Sequence, residues 1–166
     1  MIAISSRATT AFVLAFLIAG IAMANAMPVR ATRPLEGGGT FDLSVPDATV
    51  EVRTAGNNVI VHLQGGGGNI DGTFTGTWTV DEWDVIHASG SISIHGWNTM
   101  VVTFNGAASG TVLIRYEGKA DAATGVFHGT FAIVSGTGGL ATLHGQGTVW
   151  VENGVGGYAF RYHFEP

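Results

Sequence analysis

Six histidines, one run of carboxylates and three tyrosines are the side chains of this sequence that could carry chemistry. Zinc-type binding needs ligands paired at helical or tight-loop spacing. None of His62, His87, His95, His128, His144 and His163 forms such a pair, so no metal and no cofactor is expected. Asp81-Glu82-Trp83-Asp84 reads as a solvated turn at one end of the fold. A carboxylate pair there would do acid–base work only if burial raised one of the two pKa values. Ser135-Gly136-Thr137-Gly138-Gly139-Leu140 has the composition of a phosphate loop, but the segment after it alternates like a strand. A phosphate loop needs a helix N-terminus there. Gly65-Gly66-Gly67-Gly68-Asn69-Ile70-Asp71-Gly72 lacks the stacked copies that glycine–aspartate calcium sites require, and no Gly-x-Ser-x-Gly elbow is present. Tyr116, Tyr158 and Tyr162 remain, each able to donate one hydrogen bond to a bound oxygen.

The elements that must position these groups read as strands. Phe74, Gly76, Trp78 and Val80 alternate with threonines, the period of two of a half-buried strand. Ile86 to Ile94 continues the alternation as a further strand, with His87 and His95 on its polar face. Met100-Val102-Phe104 supplies the next. The whole pattern recurs. Asn58–Val80 lies over Thr111–Ile133 without a gap at an offset of 53 residues, and Ile86–Gly90 over Leu143–Gly147 after a short insertion. Two copies of a supersecondary unit bury a face that neither buries alone. Each copy is expected to give four strands, separated by turn pairs such as Asn105-Gly106, Asp71-Gly72 and Asn153-Gly154.

The fold class expected is therefore all-β: an eight-stranded antiparallel barrel built from two four-stranded repeats, about 58–110 and 111–166. An extra N-terminal hairpin, Phe41–Val45 with Ala48–Val52, would precede it. Gly76 with Gly129, and Gly90 with Gly147, fall at equivalent inward positions. They read first as bends of a tightly coiled sheet and second as openings for a cavity. All six histidines fall on the polar face.

Residues 1–26 have the n-region, apolar run and Ala24-Asn25-Ala26 site of a secretory signal peptide, followed by a leader at 27–38 and the barrel domain at 39–166. A secreted or periplasmic location follows. No cysteine is present, which suits an exported prokaryotic chain without disulfides. With Arg7 removed, 12 acidic residues outweigh the remaining basic ones, so nucleic acid is not an expected partner. A membrane is not expected either: the strand segments are short for a span and lack paired aromatic girdles. Trp150, an aromatic on the polar face near Arg161 and His163, marks a strand through which a homo-oligomer would form.

Phe131–Leu140, then Leu143-His144-Gly145-Gln146-Gly147-Thr148-Val149, and the closing Tyr158–Phe164 resemble the allene oxide cyclase type of barrel, as in dirigent-like proteins. The resemblance implies an oligomeric barrel with an apolar cavity, used in several relatives to hold a substrate for cyclisation. No catalytic residue is carried over. The function expected is binding of an apolar small molecule inside the barrel, with cyclase- or isomerase-like activity as its enzyme form. The wall would comprise Trp78, Met100, Phe104, Tyr116, Phe131, Tyr158, Phe160 and Tyr162. A filled structural barrel, or an outer-membrane barrel with its apolar face to lipid, are the alternatives.

Overall fold

The computed structural model describes residues 33–43 and 47–166. The signal-peptide reading, most of the leader and the Pro46 turn lie outside the described residues. Nine strands follow one another: β1 Leu35–Phe41, β2 Ala48–Ala55, β3 Asn58–Gly72, β4 Phe74–Ile86, β5 Ser91–Phe104, β6 Ala108–Asp121, β7 Phe127–Gly136, β8 Leu143–Glu152 and β9 Val155–Phe164. All pair antiparallel in one sheet, ordered β1-β9-β8-β7-β6-β5-β4-β3-β2, and β1 also pairs with β3. Eight strands thus close a ring, and β2 stands outside it. This is the expected all-β barrel.

The copies divide the ring differently from four plus four. Residues 58–104 supply only three strands, because β4 runs on to Ile86 and His87–Gly90 is a turn, in which the Gly90 N–H donates to the His87 carbonyl at 2.9 Å. His87 and Gly90 therefore do not share the strand positions of His144 and Gly147. The eighth place is taken by β1. Among the described residues β1 and β2 do not pair as the expected hairpin: β1 pairs with β9 and, at Gly39–Phe41, with β3, whereas β2 pairs with the Asn58–Gly65 half of β3. The two halves of β3 meet at a bulge between Gly65 and Gly67.

The inward glycines mark close backbone contact rather than space. A Cβ on Gly147 would lie 2.0 Å from the Ala159 carbonyl oxygen, and one on Gly76 2.2 Å from that of Val101. One end of the barrel is closed by packed side chains. Phe74 stacks on Phe160 at 5.2 Å, and Phe104 meets Tyr162 edge-on at 4.9 Å. The insertion after β7 folds as a single 3₁₀ turn, Gly138–Leu140, which carries Leu140 into this plug fully buried beside Leu143 and Val112. The apolar faces thus turn inward and the threonines outward, the reverse of what a lipid-facing barrel requires.

Candidate functional site

Paired residues of adjacent strands point to the same face of a sheet, so the register reads directly into rows across the barrel wall. One inward row runs Leu63–Glu82–Gly96–Tyr116–Phe131 across β3 to β7. The next sets Val61, Asp84 and Ile94 side by side, and Asn98 lies between Val80 and Ile114 on the other flank. Four polar side chains therefore meet on β4, β5 and β6 inside an otherwise apolar wall. Asp81-Glu82-Trp83-Asp84 is not a turn. It belongs to β4, with Glu82 and Asp84 inward and Asp81 and Trp83 outward.

Gly96 makes the central contact possible. With no side chain between them, the Tyr116 phenol crosses β5 and donates to Glu82 Oε2 at 2.5 Å. A Cβ on Gly96 would lie 2.8 Å from the Tyr116 hydroxyl. Burial, reinforced by the negative charge of Asp84, pushes the Glu82 carboxyl up from 4.5 to about 7. Burial also raises Asp84, from 3.8 to about 6. Asp84 Oδ1 is buried without a fixed donor. Two carboxylates in one buried site resist carrying charge together, which favours a proton on one of them. Burial and the neighbouring carboxylates hold the Tyr116 phenol well above its ordinary range, so it stays a neutral donor. Asn98 Oδ1 is buried with no partner.

Glu82, Asn98 and Tyr116 border a cavity of about 500 Å³ at the end of the barrel opposite the Leu140 plug. Its wall includes Trp78, Met100, Tyr116, Phe131 and Tyr158 from the expected set, with Ile94, Ile114, Phe127 and Val149. Phe104, Phe160 and Tyr162 stand apart from it, in the closed end. The tyrosines separate by role. Tyr158 accepts from the buried Phe74 N–H at 3.0 Å, and Tyr162 accepts from Asn105 Nδ2 at 3.2 Å, so both phenols are engaged in holding strands together. Tyr116 alone joins a carboxylate in the cavity. Glu82 and Asp84 read in the sequence as part of a solvated turn, although the alternation of β4 continued past Val80 turns both inward, where burial raises both carboxyls; Asn98 was not singled out.

The histidines lie outside. His62 stacks on Trp83 at 3.8 Å and bonds Asp81 at 2.7 Å, His87 bonds Ser93 Oγ at 3.0 Å, and His128 lies 3.2 Å from Glu152. Among the described residues no group of three or more potential ligands is placed to hold a metal. Trp150 lies on the outer face across Gly157, whose added Cβ would fall 2.6 Å from the indole.

No family profile and no curated protein matches the chain. Among solved structures it is similar to a protein of unknown function of the DUF3224 family from Shewanella oneidensis MR-1. The TM-score is 0.62 at 20% identity, over 81% of this chain and 99% of that one. A β-barrel-like protein from Acinetobacter baumannii AYE aligns with a TM-score of 0.46 at 14% identity, over 79% and 94% of the two chains. The first likeness shows a shared barrel fold, which the cyclase-like pattern of the last strands pointed to without fixing a cyclase family.

Proposed function

We propose that the barrel binds one small, largely apolar molecule through its open end, with the Glu82–Tyr116 pair as the polar anchor. The observation that carries this reading is the cavity itself: about 500 Å³, walled mainly by aliphatic and aromatic side chains, with Glu82, Asn98 and Tyr116 close together on adjacent strands. Small-molecule sites have that size and composition. A carboxyl that exchanges its proton near neutrality can donate to a bound oxygen or accept from a bound hydroxyl or amine. The same property supports a cyclase- or isomerase-like step as the enzyme form of the reading, with Glu82 moving the proton and Tyr116 orienting the carboxyl. Positioning and water exclusion by the apolar wall would supply the remainder. Export of the chain, and self-association over the outer Trp150 surface, belong to the same proposal.

Titration of the full chain with a fluorescent apolar amine, 1-aminoanthracene, tests it. One saturable site per chain is expected, and Ile94→Trp, at the half-buried rim, should abolish it while leaving the fold intact by circular dichroism. Aliphatic alcohols and amines of similar size should displace the probe. If neither probe nor competitors bind saturably, the cavity is not a ligand site.

A further inference from the structure

Within the sheet β2 has one neighbour only. It pairs with β3 from Ala48 to Ala55, and among the described residues nothing pairs with its other edge. An unpaired strand edge is a row of backbone donors and acceptors ready to accept another strand. Natural edges are commonly short, bulged or guarded by charges of one kind. This one is eight residues long, and Val50 and Val52 are 55% and 65% exposed. Val50 is opposite Leu63 and Val52 opposite Val61, so both valines extend the inner apolar wall beyond the ring. Glu51 and Arg53, opposite His62 and Ile60, share the outer face. The Glu51 side chain is 77% exposed, with its carboxylate 4.0 Å from His62 Nδ1, and the Arg53 guanidinium lies 5.8 Å from the Trp83 ring.

The order of these residues selects a partner. When two copies of one strand pair antiparallel about a two-fold axis perpendicular to the sheet, residues of equal parity come opposite each other. Centring the axis on Val52 pairs Thr49–Ala55 with its copy. It sets Glu51 against the second copy's Arg53 twice, Val50 against Thr54 twice, and Val52 against itself. Moving the centre one residue either way sets Glu51 against Glu51 or Arg53 against Arg53, and like charges directly opposite are destabilising.

We propose that β2 is where two copies of this chain join, edge to edge and antiparallel about Val52, with reciprocal Glu51–Arg53 pairs fixing the register. The two sheets become continuous, and the apolar strips formed by Val50 and Val52 meet beside both cavity mouths. This interface is distinct from the Trp150 surface and independent of whether the cavity binds a ligand.

Sedimentation of the full chain over a range of concentrations gives the test. A monomer–dimer equilibrium is expected, weakened by roughly tenfold or more in Glu51→Arg and in Arg53→Glu, each of which makes both pairs repulsive. An equimolar mixture of the two variants should dimerise again, as should the doubly exchanged chain, which also guards against a folding defect in either single variant. The chain lacks cysteine. Val52→Cys should therefore oxidise to a clean disulfide dimer, since opposed Cα atoms of an antiparallel pair stand within disulfide reach. A dimer that persists in both single variants places the contact elsewhere and overturns the proposal. So does a chain that is monomeric at every concentration.

Discussion

Replacing Glu82 by glutamine should flatten the dependence of stability on pH. The Glu82 carboxyl titrates near 4.5 when exposed and at about 7 in the folded cavity, so the native state holds this proton more tightly than the unfolded chain does. Stability from that proton is complete below pH 4.5 and is lost as pH rises through 7. At ~1.4 kcal/mol per pH interval, the gap amounts to roughly 3 kcal/mol, of which roughly 2.5 kcal/mol falls between pH 5 and pH 8. The protein should therefore be more stable at pH 5 than at pH 8 by that term. Glutamine keeps the shape, still accepts from the Tyr116 hydroxyl and carries no titrating proton. Its amide can also donate to Asp84, favouring that side chain's charged form. Urea unfolding at pH 5, 6, 7 and 8 gives the comparison, and subtracting the variant's curve from the parent's cancels the contributions of groups outside the cavity. Parallel curves across this range, or a difference that grows in the parent's favour as pH rises, would refute a buried carboxyl titrating near neutrality.

Two further substitutions probe the same row. Tyr116→Phe removes the donor that favours the charged form of Glu82, so the Glu82 carboxyl should titrate at still higher pH; the carboxyl carbon shift in an NMR pH series reads this, and an unmoved midpoint would mean the phenol does not act on it. Gly96→Ala puts a Cβ 2.7 Å from the Asp81 carbonyl and 2.8 Å from the Tyr116 hydroxyl, neither of which is the free end of a flexible chain. It should cost about 1–3 kcal/mol in urea unfolding and separate Tyr116 from Glu82, whereas wild-type stability would show that the phenol does not cross β5 at this point.

A strand's inner face is legible in the sequence where polarity follows the alternation and hidden where it does not. Phe74 to Val80 assigns the inner face correctly, and continuing the same parity reaches Glu82, Asp84 and Ile86. Carboxylates at inner positions break the polar-outside pattern, so the end of β4 looked like a turn; groups placed against that pattern are where functional sites tend to lie. The opposite error arose at His87–Gly90, a turn long enough to preserve parity, which let two strands look like one. For β1 there was little apolar signal at all. Its Gly37–Gly39 run reflects distant neighbours, since a Cβ on Gly39 would lie 1.9 Å from the Asp71 carbonyl oxygen. The repeat helps most where it fails. Leu63 in the first copy corresponds to Tyr116 in the second, and these two residues stand in the same row on either side of Glu82. Carried across the same offset, Glu82 corresponds to Ser135, where β7 slips register against β6 and the chain leaves to place the Leu140 plug. One copy thus extends its strand to bring carboxylates into the barrel, while the other ends that strand to close the opposite end. The polar patch lies where the copies diverge, and only the register between strands brings its members together.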